Sequence, residues 1–216
     1  RIYETSPDLS DMVSILNEHQ TLLKRQVKIE IKDKRSQTEG QNQVMRLHPR
    51  KSITSSPLIE TLHYCCFYHF GKDDETLGPV SLQKDFKLTD KQFEWTMIGA
   101  RAELKKWGDL DGLFTSKSWY GTSKQKSSLG FDKVVGILDK SHAPPDILSK
   151  YLALIEDLDT RLALATKLKC HQVAVETIVS MKDKQKLDDY RKHLERTHPV
   201  QALISRYLNN SQIKWR

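Results

Sequence analysis

Apolar residues recur along this chain every third or fourth position, and no stretch of useful length alternates apolar with polar. That periodicity predicts helices throughout. Leu9, Met12, Val13, Leu16, Leu23 and Val27 predict a first helix from Leu9 to Ile29, with Ser6 or Asp8 as its cap and Pro7 at its entry. The signal returns at Pro57, where Leu58, Ile59, Leu62, Cys66, Phe67 and Phe70 cover most of a cylinder that ends at Gly71. A short helix follows over Pro79 to Phe86. Thr89 or Asp90 then caps a Trp-rich helix, and further helices are predicted over Phe131–Lys140, Pro144–Ile155, Asp157–Leu168, His171–Met181, Lys182–Leu194 and Pro199–Leu208. Short helices in series bury a core only by stacking as antiparallel hairpins, so the expected fold is all-α, an irregular α-solenoid of stacked antiparallel helical hairpins. An irregular bundle is the alternative. The expected organisation is a single domain over residues 1–216, interrupted at Lys32–Ser56 (KDKRSQTEGQNQ and RKSITSSP) by a polar, flexible insertion with phosphorylatable hydroxyls at Ser52, Thr54, Ser55 and Ser56.

The Trp-rich helix carries two apolar stripes. Phe93, Met97, Ala100, Leu104 and Trp107 form one, and Trp95, Ile98 and Ala102 the other, with Gly99, Ala100 and Ala102 small enough to let a neighbouring backbone approach. Two stripes require two neighbours, which predicts a helix packed between others. The Ser/Lys-rich loop that follows, with Trp119 and Tyr120, has no assigned role.

Composition changes this picture little. The chain has 216 residues, enough for a sizeable core, and it begins at Arg1 rather than Met, which reads as the end of a longer protein. No basic-then-apolar leader is visible, and the most apolar run, Pro57–Phe70, is too short to span a bilayer, so a soluble chain is expected. Three cysteines, Cys65, Cys66 and Cys170, suggest no disulfide framework and fit a reducing, cytosolic compartment, where the Asn209-Asn210-Ser211 sequon would be idle. The net charge of +7 raises the alternative of a basic, all-helical nucleic-acid-binding module. Its excess sits in Lys32–Lys51 and Lys182–Arg216, and the rest is slightly acidic, so no nucleic acid is the preferred expectation.

The chain carries little catalytic signal. His63, Cys65, Cys66 and His69 have metal-ligand character, but they lie within one buried helix, where cysteines behave as small hydrophobes. His193 and His198 are five apart instead of the four a zincin helix needs, and Phe70-Gly71-Lys72-Asp73 lacks the rest of a phosphate-binding loop. Asp109, Asp111, Glu156, Asp157 and Asp159 fall at helix starts, where capping explains acids. The expectation is no catalytic residue, no metal and no cofactor.

The run TDKQFEWTMIGARAELKKWGDLDGLF, the Lys/Ser loop and LGFDKVVGILDK resemble the C-terminal domain of the vacuolar-sorting sixteen subunit of the HOPS and CORVET tethers. APPDILSKYLALIEDLDTRLALATKLKCHQVAVETIVSMKDKQKL and the terminal SQIKWR are similar to the metazoan paralogue of that subunit. The resemblance runs from about Leu9 to Arg216 and weakens at Lys32–Ser56. It implies a non-enzymatic scaffold that binds a Sec1/Munc18-family vacuolar-sorting protein in endosomal and lysosomal trafficking and membrane fusion. Rab or SNARE machinery would be met only indirectly, and the chain would sit in the cytoplasm, peripheral on late or recycling endosomes through its partners. By position, the partner contact would fall on Leu9–Ile29, Pro57–Phe70, Pro79–Phe86 and the pair Lys91 and Gln92, the last replacing a basic residue of the tether subunit. The incomplete apolar stripe of the first helix, broken at His19 and Gln20, suits helix-in-groove contact. The expected contact residues are Met12, Leu16, Gln20, Leu23, Lys91 and Gln92.

Overall fold

The computed structural model describes residues 9–40, 42–116 and 124–216, so the caps expected at Ser6 or Asp8 and the pair Trp119 and Tyr120 lie outside the described residues. The fold is all-α. Its helices gather into two compact units, residues 1–104 and 105–216.

In the first unit α1 runs from Ser10 to Thr38, past the expected end at Ile29. It continues because Lys32–Thr38 contains neither Gly nor Pro, and because its inner face keeps finding partners. That face is polar: Arg25, Gln26, Glu30 and Asp33 are buried beside Leu22 and Ile29. Arg25 donates to the carbonyl oxygens of Thr76 (3.1 Å) and Gly78 (3.2 Å) and to Ser81 Oγ (2.6 Å), and pairs with Asp85. Gln26 Nε2 donates to the Ser56 carbonyl (2.7 Å) and Thr61 Oγ1 (2.8 Å), while its Oε1 accepts from Ser55 N–H (2.9 Å). Glu30 accepts from Arg50 Nη1 and Ile53 N–H, each at 2.8 Å. Asp33 Oδ2 accepts from Tyr64 Oη (2.5 Å) and lies 3.3 Å from His69 Nε2. The polar segment after α1 is thereby tied down: Asn42 caps a short α2 (Gln43–Leu47), and Met45 and Ile53 are buried.

Helix α3 (Leu58–Tyr68) packs against α4 (Pro79–Asp85) and α5 (Asp90–Glu103). Pro57 precedes α3 and Pro79 sits in the first turn of α4, where a missing N–H costs nothing. Thr89 and Gln92 form a reciprocal capping box at the start of α5. Most of α5 is buried, as two stripes require, but it ends at Glu103, and Leu104 and Trp107 fall beyond it. Trp95 is 52% exposed, a correction to its expected place inside. Gln92, Trp95, Gly99 and Glu103 recur at helical spacing along the more exposed side of α5.

The second unit holds α6 (Asp109–Phe114), α7 (Phe131–Lys140), α8 (Pro145–Leu152), α9 (Leu158–Lys167), α10 (His171–Met181), α11 (Lys184–His193) and α12 (Val200–Leu208). From α7 onward each helix packs on the next, and α7 also meets α9 and α10 meets α12. This is the solenoid pattern of stacked helical hairpins. The short antiparallel strands β1 (Thr115–Ser116) and β2 (Lys124–Gln125) were not expected; two-residue strands leave no period-two signal. Phe114, Phe131 and Tyr151 form one aromatic cluster, and Val175, Ile178, Leu187 and Ile204 form a second core on which Trp215 packs.

Four helices end alike. After α4, α7, α9 and α10 the chain turns through a left-handed residue, Lys87, His142, Lys169 and Lys182, with φ between 49° and 59°. Behind each, paired hydrogen bonds close a Schellman motif, as in Lys169 N–H to the Thr166 carbonyl (3.2 Å) and Cys170 N–H to the Ala165 carbonyl (2.9 Å). Glycine is the usual residue there. At Lys87, Lys169 and Lys182 the side chain instead sets a cation near the negative end of the helix dipole.

Candidate partner-docking surface

The three helical segments to which the resemblance points all belong to the first unit and carry several of its exposed large apolar side chains, among them Met12, Ile15, Leu16, Val27, Ile59 and Val80. From Ser10 to Thr21 only Val13 of α1 is half-buried; the rest is exposed. Met12 is 54% exposed, Ile15 66%, Leu16 55%, Val27 46% and Ile31 59%. At about 100° per residue, Met12, Leu16, Leu23, Val27 and Ile31 form one row beside the buried polar face, with Gln20 on the same flank. Leu23 is half-buried and Gln20 exposed. The structure therefore brings four of the six expected contact residues onto one face of α1.

A groove of about 370 Å³ opens beside that row, lined among others by Ile15, His19, Leu22, Pro57, Leu58 and Phe86. Its walls come from α1, the entry to α3 and the residue closing α4. Ile15 and Phe86 were missed as site residues in the sequence because one reads as off the stripe and the other as core.

Lys91 and Gln92 are exposed in the first turn of α5. Gln92 has a structural task as well: its Oε1 accepts from Thr89 N–H (3.0 Å) and Thr89 Oγ1 (2.9 Å). Trp95, one turn on, is the largest exposed apolar side chain of that strip, and tryptophan is among the residue types enriched at interface hot spots.

Electrostatics here serve structure. Burial pushes the Cys65 thiol up to about 12 and raises Cys66 too, so neither is an available nucleophile or ligand at neutral pH. The candidate ligands diverge: His63 lies 3.4 Å from Glu103 and stacks on Phe67, whereas His69 faces Asp33. His193 Nδ1 contacts the Asp189 carbonyl oxygen (2.7 Å), and His198 packs edge-on against His171. Asp111, at the start of α6, accepts from Lys150 (2.5 Å) and Tyr151 (3.0 Å). Among the described residues no helix is long and apolar enough to cross a membrane.

A family model described as the Vps16 C-terminal region matches residues 74–211. The chain is 45% identical over 203 residues to the spermatogenesis-defective protein 39 homolog of Bos taurus, covering 93% of this chain and 42% of that protein. It is 42% identical over 212 residues to the Danio rerio homolog (97% and 43%), and 26% identical over 215 residues to spermatogenesis-defective protein 39 of Caenorhabditis elegans (90% and 41%). The chain thus spans roughly two fifths of the relatives it matches, 42% of the bovine protein. No solved structure matches it.

Proposed function

The chain belongs to the Vps16 C-terminal family, and from that membership we propose that it is a non-enzymatic scaffold region of a tethering-type complex in endosomal and lysosomal vesicle trafficking and fusion. The partner we propose is a Sec1/Munc18-family vacuolar-sorting protein. It would dock along Met12, Leu16, Gln20 and Leu23 of α1, reach Lys91 and Gln92 at the head of α5, and carry the chain peripherally onto late or recycling endosomes. One domain over residues 1–216 accords with a family match that runs from one unit into the other.

The observation that carries this reading is the exposed apolar row of α1 beside an apolar groove. Scattered single apolar residues are ordinary on a surface, but a row continued over several turns of one helix suits helix-in-groove recognition. The nucleic-acid alternative gains no such support, since within the basic 32–51 segment Lys32 is paired with Asp74 and Arg50 with Glu30.

Co-purification with the Sec1/Munc18-type partner tests the placement. Leu16→Glu and Gln92→Glu should each lose the complex while circular dichroism stays helical. Gln92→Glu is the cleaner variant, because Glu at that position preserves the capping box. Unaltered binding by both variants rejects the surface.

A further inference from the structure

Ser52 lies in the extended link between α2 and α3, exposed, next to exposed Lys51 and two residues after Arg50. Around it α1 holds the link by one ion pair. Glu30 Oε2 accepts from Arg50 Nη1 at 2.8 Å, with side chains only 12% and 7% exposed, and Glu30 Oε1 accepts from Ile53 N–H at 2.8 Å. Three residues on, Gln26 holds Ser55 N–H and the Ser56 carbonyl. Ser52 Oγ lies 3.5 Å from Thr54 Oγ1 and accepts from Thr54 N–H at 3.4 Å; burial draws Glu30 upward, but Arg50, Ile53 N–H and Ser52 together keep it below its ordinary value. Thr54 and Ser55 are less accessible to an enzyme that binds its substrate extended, because they form a turn with Ser55 at φ 69°.

We propose that Ser52 is a phosphorylation site for a basophilic serine/threonine kinase, and that its phosphate unfastens the 50–56 link from α1 by taking Arg50 from Glu30. In the transfer, Ser52 Oγ bonds the terminal phosphorus of a nucleoside triphosphate, the bond from that phosphorus to the bridging oxygen breaks, the nucleoside diphosphate leaves, and the hydroxyl proton passes to the kinase base. The product carries a charge of about −1.5 to −2 with three acceptor oxygens. Two anions then compete for one guanidinium, and the fork of Arg50 fits phosphate as well as carboxylate. Glu30, left beside a like charge, gives up its hold on Ile53. Ser55, Ser56, Pro57 and Leu58 form one wall of the groove along α1, so loosening the link alters that groove. The effect on the partner rests on the docking reading above; the unfastening itself does not.

The full-length protein is incubated with a basophilic kinase and ATP and mapped by mass spectrometry. Phosphate is expected on Ser52 and absent from Ser52→Ala; a map without Ser52 overturns the site. Hydrogen exchange of the free, phosphorylated protein should quicken roughly tenfold at the amides of Ile53 and Ser55. Arg50→Met, judged folded by circular dichroism, should quicken the same amides without phosphate. Unchanged or slower exchange in the phosphorylated protein overturns the mechanism. Quickened exchange with undiminished partner affinity upholds it and counts against docking on α1, so the two failures are told apart.

Discussion

A Cβ at Gly78 would lie 2.6 Å from the Asp74 carbonyl oxygen and 2.8 Å from that of Lys72, while the Gly78 carbonyl accepts from buried Arg25. Backbone cannot retreat as a side-chain tip can. Gly78→Ala is therefore expected to lower stability by roughly 1 to 3 kcal/mol in thermal or urea denaturation. Lys169 presents the opposite case, a side chain in left-handed backbone that glycine adopts freely. Lys169→Gly should gain up to about 1 kcal/mol, and a loss would mean that the lysine contributes more at the helix end than its backbone costs. Cys65 and Cys66 should resist maleimide at pH 8 until the protein unfolds, because burial disfavours both thiolates. Their role as small hydrophobes was readable from an apolar run. The capping box at Thr89 and Gln92 was readable too, as Thr-x-x-Gln before an apolar stripe, although Gln92 was singled out only as a contact. The need for glycine at Gly78 was not, because it arises from a turn closed by residues four and six positions earlier.

At the scale of the element, α1 separates into an inner face of specific polar contacts and an outer row of exposed apolar ones. Gln26→Ala removes the partners of Ser55 N–H, the Ser56 carbonyl and Thr61 Oγ1, and should cost about 2 kcal/mol. Leu16→Ala should stay within about 0.5 kcal/mol of the parent. Equal losses in chemical denaturation would contradict the division. The outer row is legible in the sequence and the inner face is not, because periodicity counts apolar residues and this helix buries Arg25, Gln26, Glu30 and Asp33. For the same reason the apolar pattern ends at Ile29 and Lys32–Ser56 has the look of a polar, flexible insertion. The anchors are side chains of α1 whose partners lie 20 or more residues later in the chain.

Across the whole molecule, carboxylates fastened to cations recur in both units. Burial draws Asp74 upward, but Lys32 and the amides of Leu77 and Thr76 bring it down to about 2; Lys150 lowers Asp111, and at Glu30 burial is outweighed by Arg50, Ile53 N–H and Ser52 acting together. Each folded value lies below the unfolded one, so the unfolded chain binds protons first as pH falls. The stabilisation is whole above the ordinary carboxylate range near pH 4 and drains away as pH falls toward the folded values. The urea midpoint should drop between about pH 4 and pH 2, and less steeply for Asp74→Asn. A flat profile would show that solvent screens these pairs. The all-α fold and most helix limits of the second unit were legible because apolar spacing runs through them and Pro or Asp marks several starts, as at Pro144, Asp157, Asp183 and Pro199. The short β1–β2 ladder was not, having too few residues to leave a period.

Four different polar clasps along α1 also fix a length. A helix greased along one side can creep by a turn, but one indexed at Arg25, Gln26, Glu30 and Asp33 cannot, so the stretch from Ser10 to Thr21 projects a set distance of about 18 Å. The helix acts as a ruler whose graduations are Met12 and Leu16. One alanine inserted after Thr21 would swing those graduations through about 100°, whereas seven would nearly restore their bearing but carry them about 10 Å outward. If a partner reads α1 by contact alone, the seven-residue insertion binds as the parent does; if it reads position, both insertions fail in the same pull-down.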